Sequence, residues 1–196
     1  SVRALLFDLQ GTLIAKGKVE IEPYFSKHPG WAEQDPEYYW KSLGEACDAL
    51  WASTNISPEQ VIGVGLTTQR GTVINVDVNG EALRPAITWL DQRQAEIDKP
   101  IGGLWGVLFK ILSLKDVVES FQRKAQAVWI EQNQPEIWNK THKFLLLSGY
   151  LGYRLTGEYK DSVGCTVGYL PFDYKSHKWA GKSDWKWQVA NVTAEM

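Results

Sequence analysis

The residues best suited to binding a ligand lie in one short polar stretch, residues 67–72, which we call the elbow. It contains Gln69, Arg70 and three threonines, and an apolar run lies on each side of it. Gly71 within it lets a ligand or another segment approach the backbone closely. Polar loops held at the rim of a rigid sheet commonly bind small polar molecules. The alternative is a plain β-hairpin whose arginine is only solvated.

Two short apolar runs must position the elbow. Residues 61–66 and 72–76 are rich in valine and isoleucine and too short for helices, so both are predicted to be β-strands. The second run leads to Asn79-Gly80, a strong turn signal. We therefore expect the elbow at the edge of a sheet.

The first third of the chain predicts a β-hairpin and then a helix. Residues 4–9 and 12–21 form the two predicted strands, joined at Gln10-Gly11. Asp35 is placed to cap a helix that runs from Pro36 to about Ser53. Its predicted buried stripe consists of Trp40, Leu43, Cys47, Leu50 and Trp51.

The second half is predicted to be mainly helical. Glycine at the end of an apolar segment is a common helix stop, and Thr156-Gly157 supplies one. The predicted elements are a short helix over 92–98, helical structure over 104–131, a buried helix over 143–155, an extended or looped return over 161–169, and a tail, 183–196, with only a helix start.

Composition excludes several functional classes. The 196-residue chain has a formal net charge of −2 and no basic tract, which argues against a nucleic-acid partner. Cys47, Cys165 and the three histidines are scattered, so no metal site is expected and a reduced, cytoplasmic protein is favoured. No apolar run is long enough to cross a membrane, and no signal peptide is recognised.

The turn at residues 8–13 partly resembles the nucleophile loop of haloacid-dehalogenase-type phosphatases. That chemistry needs two aspartates two residues apart, one as nucleophile and one as general acid. Asp8 occupies the first position, but the second is Gln10, which cannot supply the proton. Asp8 is better explained as a turn residue that hydrogen-bonds nearby backbone.

Several motifs, in order, resemble a known family. After the hairpin come a Pro-Gly-Trp-x-Glu-x-Asp-Pro motif at 29–36, Gly-Val-Gly-Leu-Thr-Thr-Gln-Arg at 63–70, Leu-Arg-Pro-Ala-Ile-Thr-Trp at 83–89 and Tyr-Arg-Leu-Thr-Gly-Glu at 153–158. This order resembles the N-terminal domain of FGGY-family carbohydrate kinases and covers nearly the whole chain.

The resemblance implies an α/β fold of the ribonuclease-H-like, actin-like type, with a mixed sheet, a leading antiparallel hairpin and flanking helices. It implies that residues 1–196 form an incomplete N-terminal, sugar-binding domain without the second, nucleotide-binding domain. The family's phosphate-binding Asp-x-Gly-Thr turn is expected just before Ser1, and its catalytic aspartate beyond Met196. The chain by itself is therefore expected to lack kinase activity.

The resemblance also implies a set of site residues. Gln69 and Arg70 would contact substrate hydroxyls, and arginine offers several fixed donors for such a ligand. Trp89 would pack on the carbon face of the substrate, and Asp91 would accept hydrogen bonds from its hydroxyls. Core packing of Trp89 and helix capping by Asp91 are the structural alternatives. Arg3 would reach phosphate.

The implied reaction is transfer of the ATP γ-phosphoryl group to a sugar or polyol hydroxyl with Mg²⁺. Glycerol kinases carry an acidic residue after the elbow arginine, where this chain has Gly71. The Trp-x-Asp-x-Arg pattern at 89–93 is closer to sugar kinases, so a sugar or sugar-like polyol is expected rather than glycerol. A non-catalytic relative that binds a sugar or a protein is the alternative, and a homodimer is left open.

Overall fold

The computed structural model describes residues 1–193 and 195, and within them eight strands and seven α-helices are formed. The strands are β1 (Val2–Phe7), β2 (Leu13–Val19), β3 (Glu33–Gln34), β4 (Val73–Val76), β5 (Ala86–Ile87), β6 (Lys143–Leu146), β7 (Phe172–Asp173) and β8 (Lys178–Trp179). The helices are α1 (Pro36–Trp51), α2 (Gly103–Ile111), α3 (Lys115–Lys124), α4 (Gln126–Asn133), α5 (Pro135–Lys140), α6 (Leu147–Thr156) and α7 (Lys186–Ala190).

A four-stranded sheet with the order β3-β5-β4-β6 forms the centre of the fold, and all its pairings between described strands are antiparallel. The mixed sheet that the sequence predicted is therefore not formed by the described strands, because no two of them pair in parallel. Strand β4 is buried along its whole length. Ile74 and Val76 join a core cluster with residues of α1 and α6, whereas Val73 joins a second cluster with Trp129 and Ile130 of α4. The sheet thus has helices on both faces.

The predicted hairpin is confirmed: β1 and β2 pair from Val2↔Val19 onward as a separate two-stranded sheet. It packs on α1, where a Cβ added to Gly17 would lie 2.0 Å from the Ala46 carbonyl oxygen. Only a glycine allows the strand to approach the helix backbone this closely.

Helix α1 starts as predicted, because the Asp35 side chain accepts a hydrogen bond from the Glu37 backbone N–H. The buried face predicted for this helix is wrong for four of its five residues. The close approach of the hairpin favours small residues on the contacting face of the helix. The buried residues of α1 are Pro36, Tyr39, Ser42, Ala46 and Leu50, so only Leu50 of the predicted stripe is fully buried.

The strand predicted over residues 61–66 was wrong. A short 3₁₀ turn, Pro58–Gln60, precedes the segment, and the segment itself forms neither a strand nor a helix. Ile62 and Val64 are 86% and 87% exposed. The reason is physical: a strand needs a partner for its backbone groups, and no described strand pairs with this segment. The second predicted strand is confirmed as β4, so the elbow does not join a hairpin.

The helix predicted over residues 92–98 was also wrong, because other segments take up its backbone groups. The backbone N–H of Gln92 donates to the Gly30 carbonyl, and that of Ala95 donates to the Arg123 carbonyl. These bonds to distant segments replace the bonds of a helical turn.

The helix predicted over 143–155 begins four residues late. Residues 143–146 form β6, which pairs with β4, and α6 follows and ends at Gly157 in the left-handed conformation, as predicted. Helices α2, α3 and α4 confirm the helical region. Residues 161–169 form a loop with one 3₁₀ turn, Val163–Cys165, and α7 is the predicted helix start in the tail. No described helix is both long and apolar enough to cross a bilayer.

We predict that Gly17→Ala lowers the free energy of unfolding by about 1–3 kcal/mol, because the new methyl group overlaps the backbone of α1. Gly44→Ala is the matched control, since nothing lies within 4 Å of its added Cβ. In this helix interior alanine should stabilise by about 0.5–1 kcal/mol. Urea unfolding of both variants checks this, and equal effects would disprove the close approach.

Candidate functional site

Gln69 is fixed within the elbow by two hydrogen bonds. Its Nε2 donates to the Tyr39 hydroxyl at 3.1 Å and to Thr72 Oγ1 at 3.0 Å. Burial raises the pKa of Tyr39, so its hydroxyl stays neutral. Both amide hydrogens are thereby used, and the carbonyl oxygen Oε1 is the group of Gln69 that remains to accept a bond from a ligand.

Arg70 differs from Gln69 because it is exposed and, within the part of the chain that the structure describes, has no hydrogen-bond or ion-pair partner. The backbone beside it is held in place. Gly71 adopts a left-handed conformation (φ 77°), and its carbonyl accepts a bond from Gln126 Nε2. Gln126 is in turn bonded by the Tyr169 hydroxyl at 2.6 Å. A free guanidinium thus projects from a fixed loop.

Trp89 lies against the elbow. A Cβ placed on Gly71 would be 3.5 Å from the Trp89 Cβ. Trp89 is 58% exposed, so most of its indole is not used in core packing. The elbow and an exposed aromatic ring therefore share one region of the surface, and substrate contact by Gln69, Arg70 and Trp89 stays a prediction.

Asp91 is placed differently. Its side chain is 2% exposed. The carboxylate accepts four hydrogen bonds: from Ala32 N at 2.7 Å, and from Arg93 N at 3.0 Å, Nε at 2.7 Å and Nη2 at 2.7 Å. No helix follows, so Asp91 is not a helix cap. A ligand hydroxyl could reach this carboxylate only by displacing one of these donors.

A buried charge network surrounds Asp91, and sequence reasoning missed it. Arg93 Nη2 also binds Glu33 Oε1 at 3.0 Å, and Arg84 forms a second ion pair with the same oxygen. The Arg93 guanidinium lies 4.0 Å from the Trp31 ring centroid and 4.4 Å from that of Trp129. Desolvation lowers the pKa of Arg84 to about 10. Nothing in the spacing of these four residues indicates the network, because Glu33 lies 51 residues from Arg84 and 60 residues from Arg93.

Arg3, predicted to reach phosphate, lies exposed in β1 opposite Lys18. No hydrogen bond or ion pair between described residues links it to the elbow. Its role in phosphate binding stays a prediction.

The loop after β1 explains Asp8 as a turn residue. Its Oδ1 accepts hydrogen bonds from the backbone N–H of Gln10 at 2.9 Å and of Thr12 at 2.8 Å. The bond from Thr12 is the main cause of a lowered pKa at Asp8. The carboxylate therefore stabilises its own loop, as the turn interpretation predicts.

Across residues 1–193 and 195, no three histidine, cysteine, aspartate or glutamate side chains come together in a way that could hold a metal ion. The described acidic residues of the site are already paired with arginines. These residues do not fit a magnesium site.

Comparison with known proteins decides the family. The family model described as the N-terminal domain of the FGGY family of carbohydrate kinases matches residues 1–184. The chain belongs to this family. The haloacid-dehalogenase alternative is thereby set aside, in agreement with the role of Asp8 in its turn.

Similar FGGY proteins include glycerol and xylulose kinases. A glycerol kinase of Thermococcus gammatolerans is 30% identical over 183 residues, which are 91% of this chain and 37% of the relative. A xylulose kinase of Staphylococcus epidermidis is also 30% identical, over 91% of this chain and 35% of the relative. The chain thus spans little more than a third of the length of these relatives.

Solved structures support the fold. A kinase described as a xyloylose kinase from Brucella ovis matches with a TM-score of 0.66 at 27% identity, over 91% of this chain and 37% of its own. The xylulose kinase of Rhodospirillum rubrum matches with a TM-score of 0.70 at 22% identity, over 98% of this chain and 39% of its own. The predicted α/β, ribonuclease-H-like class is confirmed.

We predict that Arg84→Met lowers the free energy of unfolding by about 3–5 kcal/mol, because it removes one partner from a buried ion pair. Glu37→Gln is the control, since its pair with Arg154 is partly exposed. Its loss should cost at most about 1 kcal/mol. Chemical denaturation measures both, and a cost for Arg84→Met no larger than for the control would show that burial does not make this pair critical.

Proposed function

We propose that the protein carrying this chain is an ATP-dependent kinase that phosphorylates a hydroxyl of a sugar or polyol, and that this chain supplies part of its substrate-binding side. The observation that carries the proposal is a free arginine beside an exposed tryptophan, in a domain of the FGGY family. This pairing offers hydrogen-bond donors and an apolar face to one ligand, as a sugar requires.

Arg70 would bind substrate hydroxyl oxygens. Its guanidinium is not bonded by other described residues, so binding a ligand would break no internal bond. The five N–H groups of arginine lie in a fixed plane and can donate to neighbouring hydroxyls together. The Oε1 atom of Gln69 would accept a bond from a hydroxyl, with its position set by Tyr39 and Thr72.

Trp89 would contact the C–H face of the substrate. Sugars are polar at their edges and apolar on one or both faces, so an aromatic ring can bury the apolar face while polar groups bind the edges. In this arrangement Trp89 would orient the substrate through its apolar face, and Arg70 would recognise its hydroxyl groups. The Arg70–Gly71 sequence and the 89–93 pattern favour a sugar or sugar-like polyol over glycerol.

Phosphoryl transfer depends chiefly on placing acceptor and donor in line and neutralising phosphate charge. The described residues would hold the acceptor hydroxyl in position. Magnesium, when bound with ATP, supplies charge neutralisation. We assign it no ligands from this chain, and we assign no catalytic base. The family's base is expected beyond Met196, and Arg3 is retained as a proposed phosphate contact.

Location and assembly follow from this proposal. A kinase that uses ATP and a metabolite is expected in the cytoplasm, and Cys47 and Cys165 are both free thiols. Whether the full-length protein forms a homodimer is tested by light scattering, which measures its mass in solution.

The direct test is a coupled phosphoryl-transfer assay of the full-length protein with ATP, Mg²⁺ and a panel of pentoses, hexoses and polyols. We expect ADP formation with one sugar-like substrate, and none from the 196-residue chain alone. Sugar binding without turnover by the full-length protein would favour the non-catalytic alternative. Turnover by the chain alone would overturn the division of roles.

We predict that Arg70→Ala weakens sugar affinity by roughly tenfold or more, the effect of losing one or two hydrogen bonds from a charged donor. Nucleotide affinity should be unchanged. Calorimetric titration of each ligand measures both. Lys41→Ala, which removes an exposed cation from the surface of α1, serves as the control. An unchanged sugar affinity in Arg70→Ala would remove Arg70 from the site.

A further inference from the structure

We propose that Asp91 is a positioning residue whose buried carboxylate fixes the Trp89 side chain in its exposed orientation. Its effect on substrate rests on the function proposed above, whereas its effect on Trp89 does not. The geometry that supports it lies in residues 88–91, which we call the tryptophan turn.

The tryptophan turn is closed by its own backbone. The Asp91 N–H donates to the Thr88 carbonyl at 3.1 Å, so Trp89 and Leu90 occupy the two central positions of a four-residue turn. Its first residue is fixed, because Thr88 is only 1% exposed. Trp89 is therefore presented at the tip of a turn whose base is buried.

Ala32 holds both ends of this turn. The Thr88 N–H donates to the Ala32 carbonyl at 2.9 Å, and the Ala32 N–H donates to Asp91 Oδ2 at 2.7 Å. The first bond continues the strand pairing of β3 and β5, and the second uses a side chain. Without the Asp91 carboxylate, one end of the tryptophan turn would lose its link to the sheet.

Arg93 supplies the other hydrogen bonds to the Asp91 carboxylate. It donates three hydrogen bonds to Asp91, and its guanidinium lies against the rings of both Trp31 and Trp129. Its remaining contact, to Glu33, connects it to β3. The carboxylate is thus bound only by donors that are themselves immobile, which is the arrangement that holds a functional side chain precisely.

Asp91→Asn is an informative change because it keeps the shape of the side chain. All four bonds to the carboxylate are donated by N–H groups, so one end of the amide would present N–H to N–H. Each carboxylate oxygen accepts two of these bonds. The change therefore loses either the Arg93 N and Nε bonds to Oδ1, or the Ala32 N and Arg93 Nη2 bonds to Oδ2. Arg93→Lys is the second variant, since it retains the charge but not the forked donor.

The first experiment observes Trp89 directly by ¹⁹F NMR of the full-length protein labelled with 5-fluorotryptophan, with the signal assigned by Trp89→Phe. We expect Asp91→Asn to shift or broaden the Trp89 signal, and Arg93→Lys to do so less. Glu37→Gln is the matched control, because it alters an arginine pair at Trp40 instead and should move that signal alone. An unchanged Trp89 signal in folded Asp91→Asn would overturn the proposal.

The second experiment is a double-mutant cycle on sugar phosphorylation. If Asp91 acts through Trp89, Asp91→Asn should raise KM for the sugar about tenfold with kcat within about threefold, and change KM less than about twofold in the Trp89→Ala background. The same KM effect in both backgrounds would show that Asp91 contacts substrate itself, which overturns the positioning role.

The two experiments separate the failure of this inference from failure of the proposed function. A wild-type protein that phosphorylates no sugar or polyol refutes the proposed function, and the Trp89 signal still decides whether Asp91 positions the ring. A protein with sugar kinase activity whose Trp89 signal is insensitive to Asp91→Asn retains its function and loses this inference.

Discussion

The constraint on which the structure most depends is the balance of charge inside the Glu33–Arg84–Asp91–Arg93 network. Removing four ionised groups from water is costly, and the cost is offset only while each carboxylate and guanidinium keeps its partners. Strands β3 and β5 contain two residues each, too few for backbone pairing alone to fix them firmly. The network therefore specifies where these segments meet, since a displaced segment would leave a buried charge unpaired.

The same residue type serves two opposite purposes in this region. Arg84 and Arg93 are buried and their charges are compensated within the domain, whereas Arg70 is exposed and its charge is not paired by other described residues. A rigid, internally neutral base can thus carry a side chain whose bonding capacity is available to a ligand. Trp89 shows the same division, because its backbone belongs to the fixed base and its indole is exposed to solvent.

Sequence reasoning succeeded where the cause of structure is local and failed where the cause is distant. The Asp35 cap and the Gly157 stop depend on neighbouring residues, so α1 and the end of α6 were predicted. Residues 92–98 and 143–146 take their conformation from partners elsewhere in the chain, which propensity does not reveal. At the site, composition identified the polar elbow, but the burial of Asp91 depends on packing that spacing cannot show.

The unpaired segment over residues 61–66 has a consequence for the behaviour of the chain in solution. It lies outside the described strands and helices, alternates glycine with the exposed Ile62 and Val64, and carries no charge. Exposed backbone of this kind is a template for intermolecular β-pairing. The isolated chain should therefore self-associate through this segment as its concentration rises.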